Sequence, residues 1–395
     1  MEQQFRAWLR YSIVFGLYIS PTAFISNKSA QAASLSPTLS NHGFTCSLQR
    51  LKKLYLYVLL PWLCVLYLNG LASRKPVPGT MLSWTVATVF FSSQALSTIL
   101  IAAEGIWRQQ QHETFLRLLH EIEFSLRLRL RQDIKLELFL PRVRQLLRFQ
   151  LWFSAICVLI FVYNFIKLQY IGYFWYSFWF AIVMRLRLIQ LLIYVCVLRH
   201  YMRCLCLKLQ QLVAYRTAPS QQLLDVNYEK LQTLAYLLAI KDIYDLLYKA
   251  FELLNEFAGW SLFSIIFCYM LDYGCPLYWA LLSWEGYLER RNYYVACFWW
   301  LLPMTIIIWN LCYLCYNCKQ LDRLIASMLC RIIVASSSQC MCPYRILLQQ
   351  FSTQLQLQSI EVTARNFFTL NIRLIMSICT SIATYLVIVI QFLNI

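Results

Sequence analysis

The sequence predicts an all-α membrane protein of seven transmembrane helices, with a cytoplasmic N-terminus, an extracellular C-terminus and helices extended into a cytoplasmic anchor layer. Three observations predict it. Of the 395 residues, 60% are hydrophobic and only 13% are charged, whereas soluble domains carry roughly 25% charged residues. The apolar residues are bunched into windows of about 20, the length that crosses a bilayer as a helix. Between the windows, segments rich in Lys and Arg alternate with segments poor in them, as expected when basic loops stay on the cytoplasmic side.

The windows fall at 54–71, 81–104, 150–167, 173–197, 257–278, 293–316 and 369–395. Segments 1–53, 105–149, 198–256 and 317–368 together hold 27 Lys and Arg; loops 72–80, 168–172 and 279–292 hold 4. The basic segments are also the longer ones, so density counts for more than the raw ratio. This count places the N-terminal segment 1–53 and the anchor segment 317–368 in the cytoplasm. Helices one to six occupy 54–316, with cytoplasmic extensions at 105–149 and 198–256. In the first extension Leu116, Leu119, Ile122 and Leu126 recur at helical spacing, so helix is expected there, and likewise over 221–256. Near the start, Trp8–Ser20 is short and amphipathic, suited to the inner membrane surface. A Ser/Gln/Asn-rich linker is expected over 26–49. Arg185 and Arg187 interrupt the fourth window. A second reading starts that span after Arg187 and makes Tyr173–Phe180 an interfacial aromatic belt.

Composition also excludes several classes of function. The net charge of +17 is accounted for by membrane orientation, so no nucleic-acid partner is expected. Sixteen cysteines lie mostly in apolar windows or basic loops and outline no disulfide scaffold. Cys312, Cys315 and Cys318 form C-x2-C-x2-C along one helix face, but a metal site wants a fourth ligand and usually a loop. Small apolar side chains in a membrane helix explain them better. His42, His112, His120 and His200 show no zinc-enzyme spacing. No nucleophile elbow, phosphate loop or dinucleotide turn is present. No enzyme activity, metal or cofactor is expected.

Charges in a membrane are costly and are functional candidates by default. Asp272 lies near the outer end of the fifth span. Glu104, at the inner end of the second, is expected at the interface. Arg185 and Arg187 are expected to pair with Asp272 or to snorkel. Aromatic residues crowd the outer halves of the spans. They form either interfacial belts or a pocket for a small organic ligand, and Tyr163, Tyr176, Tyr269, Asp272, Tyr294 and Trp299 are the pocket candidates.

The last window carries the sharpest pattern. Ser377, Ser381, Thr384, Ile388, Gln391 and Ile395 recur every three or four residues and form one stripe. Such a stripe either glues helices together or lines a water path. The same window holds Thr384-Tyr385, five apolar residues, then Gln391-Phe392. This resembles the signature closing the last helix of insect gustatory receptors, relatives of the insect odorant receptors. Ala364-Arg365-Asn366-Phe367-Phe368-Thr369-Leu370 resembles the entry to that helix, and Phe15-Gly16-Leu17 with Pro21 is a looser match to the family's opening segment.

The resemblance implies a tetrameric cation channel opened by a tastant, in the plasma membrane of sensory neurons; the lack of Asp and Glu in window 369–395 predicts weak selectivity, and the wall of aromatic residues a small organic ligand. Four copies of helix 369–395 would surround the pore, lined by Ser377, Ser381, Thr384, Ile388 and Gln391. Membrane lipid and a second copy of the chain, or a related gustatory subunit, are the implied partners. The competing reading is a seven-helix G-protein-coupled receptor. That class wants the opposite orientation and an acidic-Arg-Tyr triplet after the third span, whereas Asp322-Arg323-Leu324 follows the sixth. A transporter is third, without paired Gly/Pro-broken helices to mark inverted repeats.

Overall fold

The structure is a computed structural model that describes residues 42–73, 81–131, 136–167, 174–217, 234–284, 292–335 and 342–393. Among these the helices are α1 His42–Ala72, α2 Met81–Trp107, α3 Gln109–Leu128, α4 Leu136–Lys167, α5 Phe174–Thr217, α6 Leu234–Trp284, α7 Asn292–Ala335, α8 Cys342–Leu357 and α9 Ile372–Leu393. Two short strands, β1 Thr363–Ala364 and β2 Phe368–Thr369, pair antiparallel between α8 and α9. Trp8–Ser20 lies outside the described residues.

Five helices contain stretches long and apolar enough to cross a bilayer: Thr88–Trp107, Pro141–Asn164, Trp175–Ala214, Leu234–Gly274 and Trp299–Val334. Shorter apolar stretches occupy Tyr57–Ala72 of α1 and Ile372–Tyr385 of α9. The all-helical membrane fold is therefore as the sequence predicts. Two local details differ. Helix α1 already begins at His42, inside the expected linker. The last window opens on the hairpin and not on helix, because Arg365 (φ 49°) and Asn366 (φ 62°) take left-handed conformations that reverse the chain.

Position in the bundle follows from how each helix distributes its apolar residues. Helix α5 carries apolar residues all round, with Arg185, Arg187 and Gln190 buried among them, and sits at the centre, with 89% of its spanning window buried. Helix α4 lies at the periphery, with 22% of its window buried. Its outward side chains include Trp152, Leu159 and Tyr163, which suits lipid contact. In α3, Leu116, Leu119, Ile122 and Leu126 are all buried, so the stripe read from the sequence is its packed face. Lipid tails are as apolar as leucine, so close fit sets helix association here more than transfer from water does. Gly70 shows such a fit: a Cβ there would lie 2.3 Å from the Phe91 ring, so α1 and α2 approach closely because the glycine has no side chain.

Candidate functional site

Helix α9 packs through one face only. Ile378 is buried, and Leu374, Ile375 and Ile382 lean on the core beside α6 and α7. Ser377, Ser381, Thr384, Ile388 and Gln391 are all exposed in the single chain. The Ser377 hydroxyl donates to the Arg373 carbonyl at 3.1 Å and Thr384 donates to the Thr380 carbonyl at 3.0 Å. Each is satisfied by its own helix, so neither hydroxyl serves to glue α9 to α6 or α7. Ser381, Ile382 and Tyr385 border a cavity of 340 Å³ shared with Thr85 and Val89 of α2 and Phe267 of α6. Tyr385 lies against Gly274 of α6, 3.5 Å from where a Cβ would stand. The side chains of Phe392 and Val389, and Ile395 as a whole, lie outside the described residues.

At the foot of α9, the hairpin is clamped to α6. Asn255 donates to the Glu361 carbonyl and accepts from the Thr363 N–H, each at 2.9 Å. Trp260 and Phe263 stack around Phe367 with centroid distances of 6.1 and 4.9 Å. The Arg365 guanidinium lies 5.9 Å from the Trp260 ring. Gly259 makes this approach possible, since a Cβ there would meet Arg365 Cγ at 2.8 Å and its backbone nitrogen at 3.1 Å.

The turn of α6 beneath that hairpin is held by charged side chains. The Glu256 carbonyl accepts from the Arg108 guanidinium. The Phe257 carbonyl accepts from Arg187 Nη2 at 3.1 Å. The Trp260 and Ser261 N–H groups donate to the Glu104 carboxylate at 3.1 and 3.0 Å. In a regular helix these carbonyls and N–H groups are each other's partners four residues apart. Three side chains, Glu104 and Arg108 at the α2–α3 junction and Arg187 on α5, thus engage all four backbone groups of one turn.

Arg187 completes the network. Its Nη2 lies 3.4 Å from Glu104 Oε2, Nε donates to Ser261 Oγ at 3.1 Å, and Nη1 donates to Gln190 Oε1 at 2.8 Å. Gln190 Nε2 donates onward to the Tyr194 hydroxyl at 3.2 Å, which lies 2.7 Å from His112 Nε2. His112 stacks on Phe257 at 4.6 Å. Burial, and then the nearby Arg187 charge, push the His112 pKa down to about 3, so its ring is neutral at physiological pH.

This corrects two expectations. Glu104 is not interfacial but 4% exposed, and it is the ion-pair partner of Arg187 in place of Asp272. Asp272 instead accepts from Gln94 Nε2 at 3.1 Å and Cys268 Sγ at 3.6 Å. The cause is rotation about the α5 axis. Residues two apart on a helix point about 200° apart, so Arg187 faces α2 and α6 while Arg185 faces α4 and α7. Neither snorkels: Arg185 donates to Ser154 Oγ at 3.4 Å and to the Trp300 carbonyl, and its guanidinium lies 4.2 Å from the Trp300 ring. Helix α5 runs without a break through both arginines.

The six pocket candidates are dispersed. Tyr269 and Asp272 are buried on α6, Tyr176 and Trp299 are half-buried, and Tyr163 is 66% exposed on the outside of α4. The Tyr294 side chain lies outside the described residues. Tyr269 meets Tyr273 edge-on at 4.9 Å. The tighter aromatic cluster is one the sequence did not single out: Trp300 against Phe161 at 4.6 Å and Phe178 at 5.6 Å, capped by Arg185. The signal was the adjacent pair Trp299-Trp300, of which one must turn inward. Cys312, Cys315 and Cys318 are buried as expected of small apolar side chains.

The 7tm chemosensory receptor family matches residues 5–393. The chain belongs to that family. This receptor is 27% identical over 220 residues to putative gustatory receptor 39b of Drosophila melanogaster, covering 56% of this chain and 59% of the relative. It is 30% identical over 166 residues to gustatory receptor 23a of the same fly, covering 39% of this chain and 41% of that one. The chain thus matches well under two thirds of each relative's length. Its fold is that of the olfactory receptor OR5 from the insect Machilis hrabei, at a TM-score of 0.66 and 12% identity over 98% of both chains. The same receptor in complex with eugenol matches at a TM-score of 0.62 over the same share. The resemblance of the last helix to insect gustatory receptors agrees with these relatives.

Proposed function

We propose that this receptor is a tastant-gated, weakly selective cation channel of the sensory-neuron plasma membrane, with four copies of α9 around one pore. The observation that carries the proposal is the exposure of Ser377, Ser381, Thr384, Ile388 and Gln391 along a helix whose other face is packed. Ser377 and Thr384 are already satisfied by their own backbone, so the exposed Gln391 amide is the group on this stripe that calls for water or a second copy of the stripe opposite. By the basic-residue count, the N-terminus and the segments 105–149, 198–256 and 317–368 are cytoplasmic and the C-terminus is external. Gln391 then stands near the outer mouth, and Ile388 forms a constriction that dewets when shut. No Asp or Glu lies on α9, so no carboxylate ring enforces strong selectivity.

The ligand proposed is a small aromatic or alkaloid-like molecule, bound in the outer halves of the helices. The aromatic cluster at Trp300 and the eugenol bound by the Machilis receptor support that class. Arg187 and Glu104 hold the α6 turn beneath the hairpin that starts α9. Four copies, or a mixture with related gustatory subunits, are the proposed assembly.

Expression of Gln391→Glu with measurement of reversal potentials under asymmetric salt tests the pore. A carboxylate ring should raise relative cation permeability, whereas Val389→Ala, at a different helical angle, should leave it unchanged. Surface-expressed Gln391→Glu channels with unchanged selectivity and conductance would remove the pore assignment.

A further inference from the structure

A second cavity, unrelated to the aromatic layer, opens between α5 and α7. It is an open cleft of 680 Å³ with Arg199 and Arg203 on one wall and Asn317, Gln320, Arg323 and Ser327 on the other. Arg199 and Arg203 are four residues apart and share a face of α5. Three arginines therefore line one concave surface between two helices.

Among the described residues, no carboxylate lines this cleft. The acids near this end of α7 among the described residues are committed elsewhere. Asp322 accepts from the Tyr244 hydroxyl at 2.8 Å and from the Ile360 N–H at 3.4 Å. Glu361 pairs with Lys319. Among the described residues, Arg199, Arg203 and Arg323 enter no ion pair. Asn317 contributes a further sign: its Nδ2 is buried and has no hydrogen-bond partner. A buried amide N–H normally has an acceptor. Loops with excess Lys and Arg need no ligand, since orientation explains them. A folded cleft holding three guanidiniums that no carboxylate among the described residues neutralises, and an amide with no partner among them, calls for an anion with several acceptor oxygens. Guanidinium forks match phosphate oxygens in pairs.

We propose that the α5–α7 cleft binds a phosphate-bearing anion, either the headgroup of an anionic phospholipid or a soluble inositol phosphate. Its position just beyond the fourth span sets it at the cytoplasmic membrane edge, a placement that rests on the topology proposed above. Headgroups of the inner leaflet lie at that level.

The test uses full-length receptor purified in detergent and a fluorescent phosphatidylinositol bisphosphate, with binding followed by anisotropy. Micelles have no inner or outer leaflet, so the result is independent of the topology. The wild type should bind, and Arg203→Gln or Arg323→Gln should each weaken binding about fivefold, with about a hundredfold loss for the triple variant Arg199→Gln/Arg203→Gln/Arg323→Gln. The matched triple Arg117→Gln/Arg142→Gln/Arg148→Gln, outside the cleft, should bind as the wild type does. Both triples should elute as monodisperse peaks on size exclusion; the two single variants carry the test if the cleft triple does not. Competition by inositol trisphosphate at similar affinity would identify the phosphate group alone as sufficient. Competition only by anionic lipid would identify the membrane as the source. Equal binding by the wild type and the cleft variants, or no binding of either probe, would overturn the proposal.

Discussion

Substitution of Glu104 is the most direct test of how the bundle is held together. Its carboxylate lies 3.4 Å from Arg187 and accepts the N–H groups of Trp260 and Ser261. Two unit charges at that separation attract by about 5 kcal/mol at an effective dielectric of 20. Desolvation offsets much of this in the intact pair. Removing one partner strands the other charge, and that costs about 3–5 kcal/mol. Neutral hydrogen bonds between membrane helices average only about 0.6 kcal/mol. Glu104→Gln keeps one acceptor oxygen for the α6 backbone but sets an amide NH2 where the other oxygen stood, so it removes the charge and one backbone hydrogen bond; a loss of several kcal/mol exceeds what that one hydrogen bond is worth and shows the weight of the ion pair. Arg187→Met should cost as much. In Glu104→Gln/Arg187→Met neither charge is stranded, and the double variant should be at least about 2 kcal/mol less destabilised than the sum of the singles. The assay is an apparent melting temperature in detergent, read by fluorescence-detected size exclusion at a fixed heating rate. At roughly 2 °C per kcal/mol for a chain this long, each single should fall by about 6–10 °C. Singles within about 2 °C of the wild type, or a double that loses the full sum, would refute the idea that this pair holds α2, α5 and α6 in register.

Three further outcomes are expected. His112 has its pKa held at about 3 in the folded state; the unfolded chain takes up a proton below about pH 6.5 and the folded one does not, so stability is lost as pH falls, by up to about 1.4 kcal/mol per unit below 6.5. His112→Gln should flatten that slope in melting curves taken between pH 7 and 5, and an unchanged slope would clear His112 of the effect. Gly259→Ala gains up to about 1 kcal/mol of helix propensity, yet its Cβ meets Arg365 at 2.8 Å and overpacking costs about 1–3 kcal/mol. The net should be a lower melting temperature together with weaker ligand-evoked current, because the hairpin that starts α9 must move; Gly259→Ala channels gating like the wild type would show that this contact is slack. An epitope tag before Met1 should stain only after permeabilisation and one after Ile395 without it, and the reverse pattern would remove the channel topology.

The sequence alone determined the solvent of this protein and the faces of several helices. Windows of apolar residues set the spans, since a bilayer accepts little else at that length. The period of Leu116, Leu119, Ile122 and Leu126 identified the packed face of α3, and the spacing from Ser377 to Gln391 picked out a stripe of α9 that is exposed among the described residues. Both are patterns within one helix, where 3.6 residues per turn converts spacing directly into direction. The signature at Thr384-Tyr385 and Gln391-Phe392 was legible separately, as a resemblance to a known family. The tertiary structure alone decided who meets whom across helices. Glu104 and Arg187 are 83 residues apart and are joined, whereas Asp272, the more obvious acid, belongs to Gln94. Trp300, and not Trp299, turns into the bundle beside Arg185. The hairpin at Arg365 and Asn366 reverses the chain just before α9, so the last apolar window opens in a strand. Each of these depends on the rotation and depth of one helix relative to another, and close packing sets those through contacts that periodicity along a single helix does not contain.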